Sequence, residues 1–141
     1  MLDVHIDEFF RDCAVILLAG LRNFPRPQTL FVEDISGPDE MDEFGLHSNR
    51  YLSAFGTICW LREEGYIRFS GFDRQESVDD FVLTATALRR LLAPSRQSLK
   101  DNDTPTPLFQ VLEYATLQAD SIWITQLVME QVFSRETLLP A

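Results

Sequence analysis

One lysine, two histidines and two cysteines stand among the 141 residues, and each scarcity closes a route to function. A nucleic-acid binder leans on a basic footprint, whereas here Lys100 and the arginines number 12 against 22 acids, for a net charge of −10. Cys13 and Cys59 are too few for a disulfide framework or an all-cysteine metal site. The amino-terminal stretch carries Asp3, Asp7 and Glu8 where an export signal would be basic, so a cytoplasmic protein with free thiols is predicted. The longest apolar run, Cys13 to Leu21, falls well short of the roughly 20 residues that span a bilayer, and no membrane partner is expected.

The few glycines are scattered: Gly45, Gly56 and Gly65 form no phosphate-cradling loop. His5 lies between Asp3 and Asp7, but the three do not share a helical face and lack metal-ligand spacing. His47 sits in a turn near Glu43 and reads as a surface or capping residue. Cys13 and Cys59 occupy apolar helical positions, as core thiols do. A non-enzymatic protein is therefore predicted, with no metal and no cofactor.

What is present is apolar bulk. Hydrophobic residues make up 45% of the chain and eleven are phenylalanine, enough for a globular core. The charge is uneven: −7 over residues 1–44, +1 over 45–98 and −4 over 99–141.

Ile6, Phe9, Phe10, Cys13, Ile16, Leu17, Gly20 and Leu21 recur at helical spacing, predicting a helix from Asp3 or Asp7 to Asn23 that Pro25 and Pro27 end. Thr29 to Val32 reads as a short edge strand. Pro38 to Phe44 is expected as a short helix, with Pro38 at its first position and acids in its first turn. Ser48 or Asn49 then caps a helix reaching Glu64, with Leu52, Phe55, Cys59 and Ile58 as its inward stripe. Gly65 ends that helix. Tyr66–Phe69 is predicted to pair with Phe81–Leu83 across a polar loop, and Thr84 opens a helix stopped by Pro94.

Residues 94–106 read as a linker. Thr106 as cap and Pro107 at the first position open a final helix expected to run to about Ser134. Its apolar residues occupy more than one stripe. In a chain this small, that pattern predicts a homodimer built from the first and last helices. Trp60, Trp123 and Tyr114 could line a cavity at such an interface, although core packing accounts for them more simply. The organisation expected is a domain over 1–93, a linker over 94–106 and a dimerisation helix within 107–141.

Two junctions carry a resemblance. Leu61-Arg62-Glu63-Glu64-Gly65-Tyr66-Ile67 is similar to the passage from recognition helix through glycine to strand in the winged helix-turn-helix superfamily of bacterial regulators. Val82-Leu83-Thr84, followed by Leu88, Leu91 and Leu92, resembles their exit from the wing. The likeness covers residues 45–93 and implies a mainly α fold with a small antiparallel β wing. It also implies a transcriptional regulator that binds DNA as a homodimer. The start of the recognition helix would then present Ser48, Asn49, Arg50 and Ser53 to the duplex, and the wing Arg74 and Gln75. On that reading Arg50→Ala weakens duplex binding and leaves the melting temperature nearly unchanged.

Glu33, Asp34, Asp39, Glu40, Asp42 and Glu43 argue the other way, because they would approach the phosphate backbone. They suit a winged helix used for protein–protein contact through an acidic interface. The arginines discriminate. If Arg50, Arg68 and Arg74 converge on one exposed acid-free face, with two copies about 34 Å apart, DNA is favoured. Arginines neutralised in ion pairs beside exposed apolar surface favour a protein partner.

Overall fold

The computed structural model describes residues 4–97 and 105–134. It is mainly α-helical with a small antiparallel sheet. In chain order the elements are α1 (Val4–Arg22), β1 (Gln28–Phe31), α2 (Glu33–Ser36), α3 (Asn49–Glu63), β2 (Ile67–Arg68), β3 (Gly71–Asp73), β4 (Ser77–Leu83), α4 (Ala85–Leu92), α5 (Leu108–Leu117) and α6 (Ser121–Leu127). A π-helical turn, Val128–Val132, succeeds α6.

The hairpin behind α3 is present. Gly65 takes φ 82°, a conformation cheap only for glycine, and turns the chain out of the helix. β2 pairs with β4 through Ile67–Leu83 and Arg68–Val82, and β3 continues the same ribbon through Phe72–Val78. The segment expected as an eleven-residue loop is thus mostly strand. Its turn is tight: Glu76 N–H donates to the Asp73 carbonyl at 2.8 Å, with Arg74 and Gln75 at φ 51° and 63°. Two left-handed central residues match the twist of a two-residue hairpin, normally the work of Asn and Gly. β1 pairs with the other side of β4, so β4 lies between β1 and β3.

α1 is the central element. Cys13, Ala14, Ile16 and Leu17 are fully buried, and it packs on α3, α5, α6 and β4. Gly20 is where α1 meets the sheet: a Cβ there would lie 2.7 Å from Leu83 Cδ2 and 3.1 Å from Phe81 Cζ. Alanine gains about 1 kcal/mol in helix propensity, but overpacking costs about 1–3 kcal/mol. Gly20→Ala is therefore expected to lower stability, read as a fall in denaturation midpoint, and a rise would contradict this packing.

Three expectations need correction. The helix over 38–44 does not form, and the only helical turn in that region is α2. Short acidic side chains capture the local main chain instead: Asp42 Oδ1 accepts from the N–H groups of Phe44 and Leu46, both at 2.9 Å. The inward face of α3 is Tyr51, Ala54, Thr57, Ile58 and Leu61; of the expected stripe only Ile58 belongs to it, and Leu52 is 43% exposed. Phe55 is half-buried and meets Phe72 edge-on. The C-terminal stretch is not one helix. It starts at Leu108 with no side-chain cap, and it breaks at Ala119, φ 52°, before Asp120 caps α6 through the Trp123 N–H. On the two sides of that break, Leu108, Val111, Leu112 and Ala115 and then Ile124, Leu127, Val128 and Val132 enter the core of the same chain, while Met129 is half-exposed. Leu117 and Ile122 remain exposed. Residues 135–141 of the expected C-terminal element lie outside the described residues.

Candidate interaction site

The surface that sequence reasoning marked is built at the start of α3. Ser48 caps the helix, its Oγ accepting from Tyr51 N–H at 3.2 Å. Asp39 reaches over from the 37–48 loop. Its Oδ1 accepts from the Ser48 hydroxyl at 2.5 Å, and its Oδ2 from Ser48 N–H at 3.2 Å. Asp39 Oδ2 also meets His47 Nδ1 at 2.9 Å. These contacts, the Ser48 hydroxyl first and His47 next, hold the Asp39 carboxyl below its ordinary value. The His47 ring stacks on Tyr51, and the Tyr51 hydroxyl donates to the Gln75 carbonyl at 2.8 Å. The loop, α3 and the hairpin tip are thereby fastened together.

Arg50 does not face outward. Its guanidinium donates to both oxygens of Asp12 on α1, at 2.8 and 2.6 Å, and its Nε lies 3.7 Å from Glu8. Arg11 donates to Asp12 Oδ1 and, like Arg50, to the Ile35 carbonyl. Asp12 is fully buried. Burial raises its carboxyl above the ordinary value, while the hydrogen bonds and charge of Arg50 pull it down.

The other residues expected to face a duplex are dispersed. Asn49 and Ser53 are exposed on α3, whereas Arg74 and Gln75 occupy the exposed hairpin tip. The Arg62 guanidinium lies 4.3 Å from the centre of the Phe69 ring. The acids gather more closely. Glu33, Asp34, Asp39 and Glu76, with Phe31, Met41 and His47, enclose a cleft of about 470 Å³. Glu40, Asp42 and Glu43 extend the acidic surface along the loop, where Met41, Phe44 and Leu46 are 53%, 77% and 62% exposed.

Sequence reasoning missed Asp12, Phe31, Met41 and Glu76. Asp12 carried a signal, an acid next to the apolar stripe and one turn after Glu8. The other three belong to the cleft only in the fold, which brings β1, the 37–48 loop and the hairpin tip together. Trp60 packs edge-on against Phe9 and Phe133, and Trp123 pairs with Tyr114 at 5.8 Å while donating to Gln97. Burial pushes both thiols up, that of Cys13 well above its ordinary value. Neither is a ready thiolate. Among the described residues no group of three or more His, Cys, Asp or Glu could hold a metal ion, and no helix is long and apolar enough to cross a membrane.

No known family model matches the chain, and no curated protein or solved structure is significantly similar to it.

Proposed function

We propose that this is a non-enzymatic, winged-helix-like interaction module that meets a protein partner through the acidic surface of α2, the 37–48 loop and the hairpin tip. The observation that carries the reading is the ion pair of Arg50 with Asp12. The arginine best placed to read bases at the start of α3 is committed to the interior, while exposed Met41, Phe44 and Leu46 stand among carboxylates. Apolar side chains on an acidic surface suit a partner segment that is both basic and apolar.

The duplex reading retains Arg74 and Gln75 at the hairpin tip, together with Asn49, Ser53 and Arg68. Against it stand the acids beside them and the reduction of the helix before the turn to one turn of α2. A homodimer, for its part, would draw on the side of the molecule where Val4, Leu117 and Ile122 are exposed. Light scattering reads one chain mass or two.

The test uses two labelled probes at low salt, a peptide alternating arginine with leucine and a duplex. The peptide is expected to bind at micromolar protein, and Glu40→Lys with Glu43→Lys to weaken it about tenfold. Glu113→Lys, on the exposed side of α5, controls for net charge and is expected to have little effect. Retardation of the duplex, or peptide binding equally indifferent to both charge changes, rejects the proposal.

A further inference from the structure

We propose that the free edge of β1 takes up an extended, arginine-bearing segment of the protein partner as an added strand, its basic end seated in the acidic cleft. The inference rests on the protein-partner reading above and names how that partner docks.

The register of β1 decides which groups are available. Leu30 pairs with Val78, and Val32 N–H donates to the Glu76 carbonyl at 3.0 Å. Residues of an antiparallel strand alternate between bonding toward their partner and away from it. Phe31, in the regular part of that register, therefore directs its N–H and C=O groups away from β4, and Thr29 precedes it opposite a bulge that places an extra residue in β4. Among the described residues nothing bonds to those groups. Sheet edges are usually guarded by charge, proline or a covering element. The four residues of β1 include neither charge nor proline, and Phe31 is 52% exposed.

A groove accompanies this edge. Val15 and Ala19 of α1 face Thr29 and Leu30 across about 360 Å³, which leaves room beside the strand. Asp34 borders both this groove and the acidic cleft, so the two adjoin past the end of β1. Strand addition draws affinity from main-chain hydrogen bonds and specificity from the neighbouring pockets. Here the adjoining pocket carries Glu33, Asp34, Asp39 and Glu76, which calls for a cation. The same acids disfavour a second copy: a two-fold pairing of β1 edges would bring both acidic clefts together.

The probes are labelled hexapeptides of alternating valine and threonine with two arginines at one end or the other. Each is compared with a form N-methylated at alternate amides and a form with glutamate for arginine. Anisotropy gives the affinity, and amide resonances of the full chain give the site. The arginine peptide is expected to bind and to shift Thr29, Leu30 and Phe31. N-methylation should weaken it about tenfold or more, since two main-chain hydrogen bonds are lost. Glu33→Lys with Glu76→Lys, at exposed side chains, should weaken it about tenfold while the melting temperature stays put.

Equal binding of the N-methylated peptide, or shifts confined to residues 37–46, overturns strand addition and leaves the acidic surface as the docking site. If no basic peptide binds at all, both readings fall. A dimer in light scattering that Thr29→Pro abolishes would give the edge to a second copy and overturn the proposal.

Discussion

Arg50→Ala is expected to destabilise the fold by about 3 kcal/mol, at the lower end of the 3–5 kcal/mol typical when a buried ion pair loses one partner. The cost comes from what is left behind. Asp12 has no exposed side-chain surface, and without Arg50 its nearest cation is Arg11 at 3.2 Å, a side chain that is 48% exposed. That partial compensation places the figure low in the range. The same variant was expected on the duplex reading to be structurally silent, so the geometry reverses that expectation.

The deficit should also depend on pH, with a definite sign. Burial already raises the Asp12 carboxyl above its ordinary value of 3.8, and Arg50 supplies the largest opposing influence. Removing the arginine raises the carboxyl further. A group with a raised folded-state value takes up its proton earlier in the native state than in the unfolded chain. Stability is therefore regained as pH falls through that value. The gap between wild type and Arg50→Ala should narrow from neutral pH toward the ordinary carboxylate range. Urea unfolding at neutral and mildly acidic pH measures this. A deficit below about 1 kcal/mol, as for a surface pair, or one that widens on acidification, would sink the buried-pair account.

What could be read from the sequence was local in origin. Ser48 and Thr84 cap their helices as expected because a cap needs only the N–H three residues on. Gly65 marks its turn for a similar reason. The pairing of β2 with the end of β4 was legible as two apolar runs around a polar stretch, whereas β3 and the first half of β4 lay in what reads as loop. The hidden features were set at a distance or against propensity. Asp12 and Arg50 are 38 residues apart, and nothing in either neighbourhood names the other. The acids at 39 and 42 look like a helix start, but Asp39 is taken by Ser48, nine residues on. The turn at Arg74 and Gln75 and the break at Ala119 use left-handed backbone without glycine, so composition gave no warning. In α3 apolar residues run nearly around the helix, and only packing on α1 chose Tyr51 over Leu52. The acidic surface was visible residue by residue, whereas the cleft required the hairpin to be folded.

A chain ending at Ala93 is expected not to fold, although 1–93 reads as a domain and 94–106 as its linker. The two ends of that linker are tied together: Leu108 N–H donates to the Ala93 carbonyl at 2.8 Å, and Ser95 N–H to the Thr106 carbonyl at 2.7 Å. The helices beyond it supply core. Leu108, Val111, Leu112, Ile124, Leu127, Val128 and Val132 are each no more than 3% exposed, and α5 and α6 both pack on α1. Each such side chain contributes about 1.5–3 kcal/mol by burial. Even after discounting for a compact unfolded state, their sum rivals the whole 5–15 kcal/mol by which domains of this size are typically stable. Phe133 adds a wedge among Phe9, Phe10, Trp60 and Tyr66. Truncation would bare the face of α1 that these residues cover. Amide spectra of 1–93 should collapse to the narrow dispersion of an unfolded or molten chain, and a peptide of residues 105–141 added in trans should restore part of the spread. Sharp, dispersed resonances with a cooperative melt for 1–93 alone would instead make the C-terminal segment an appendage, and self-association through it would again be expected.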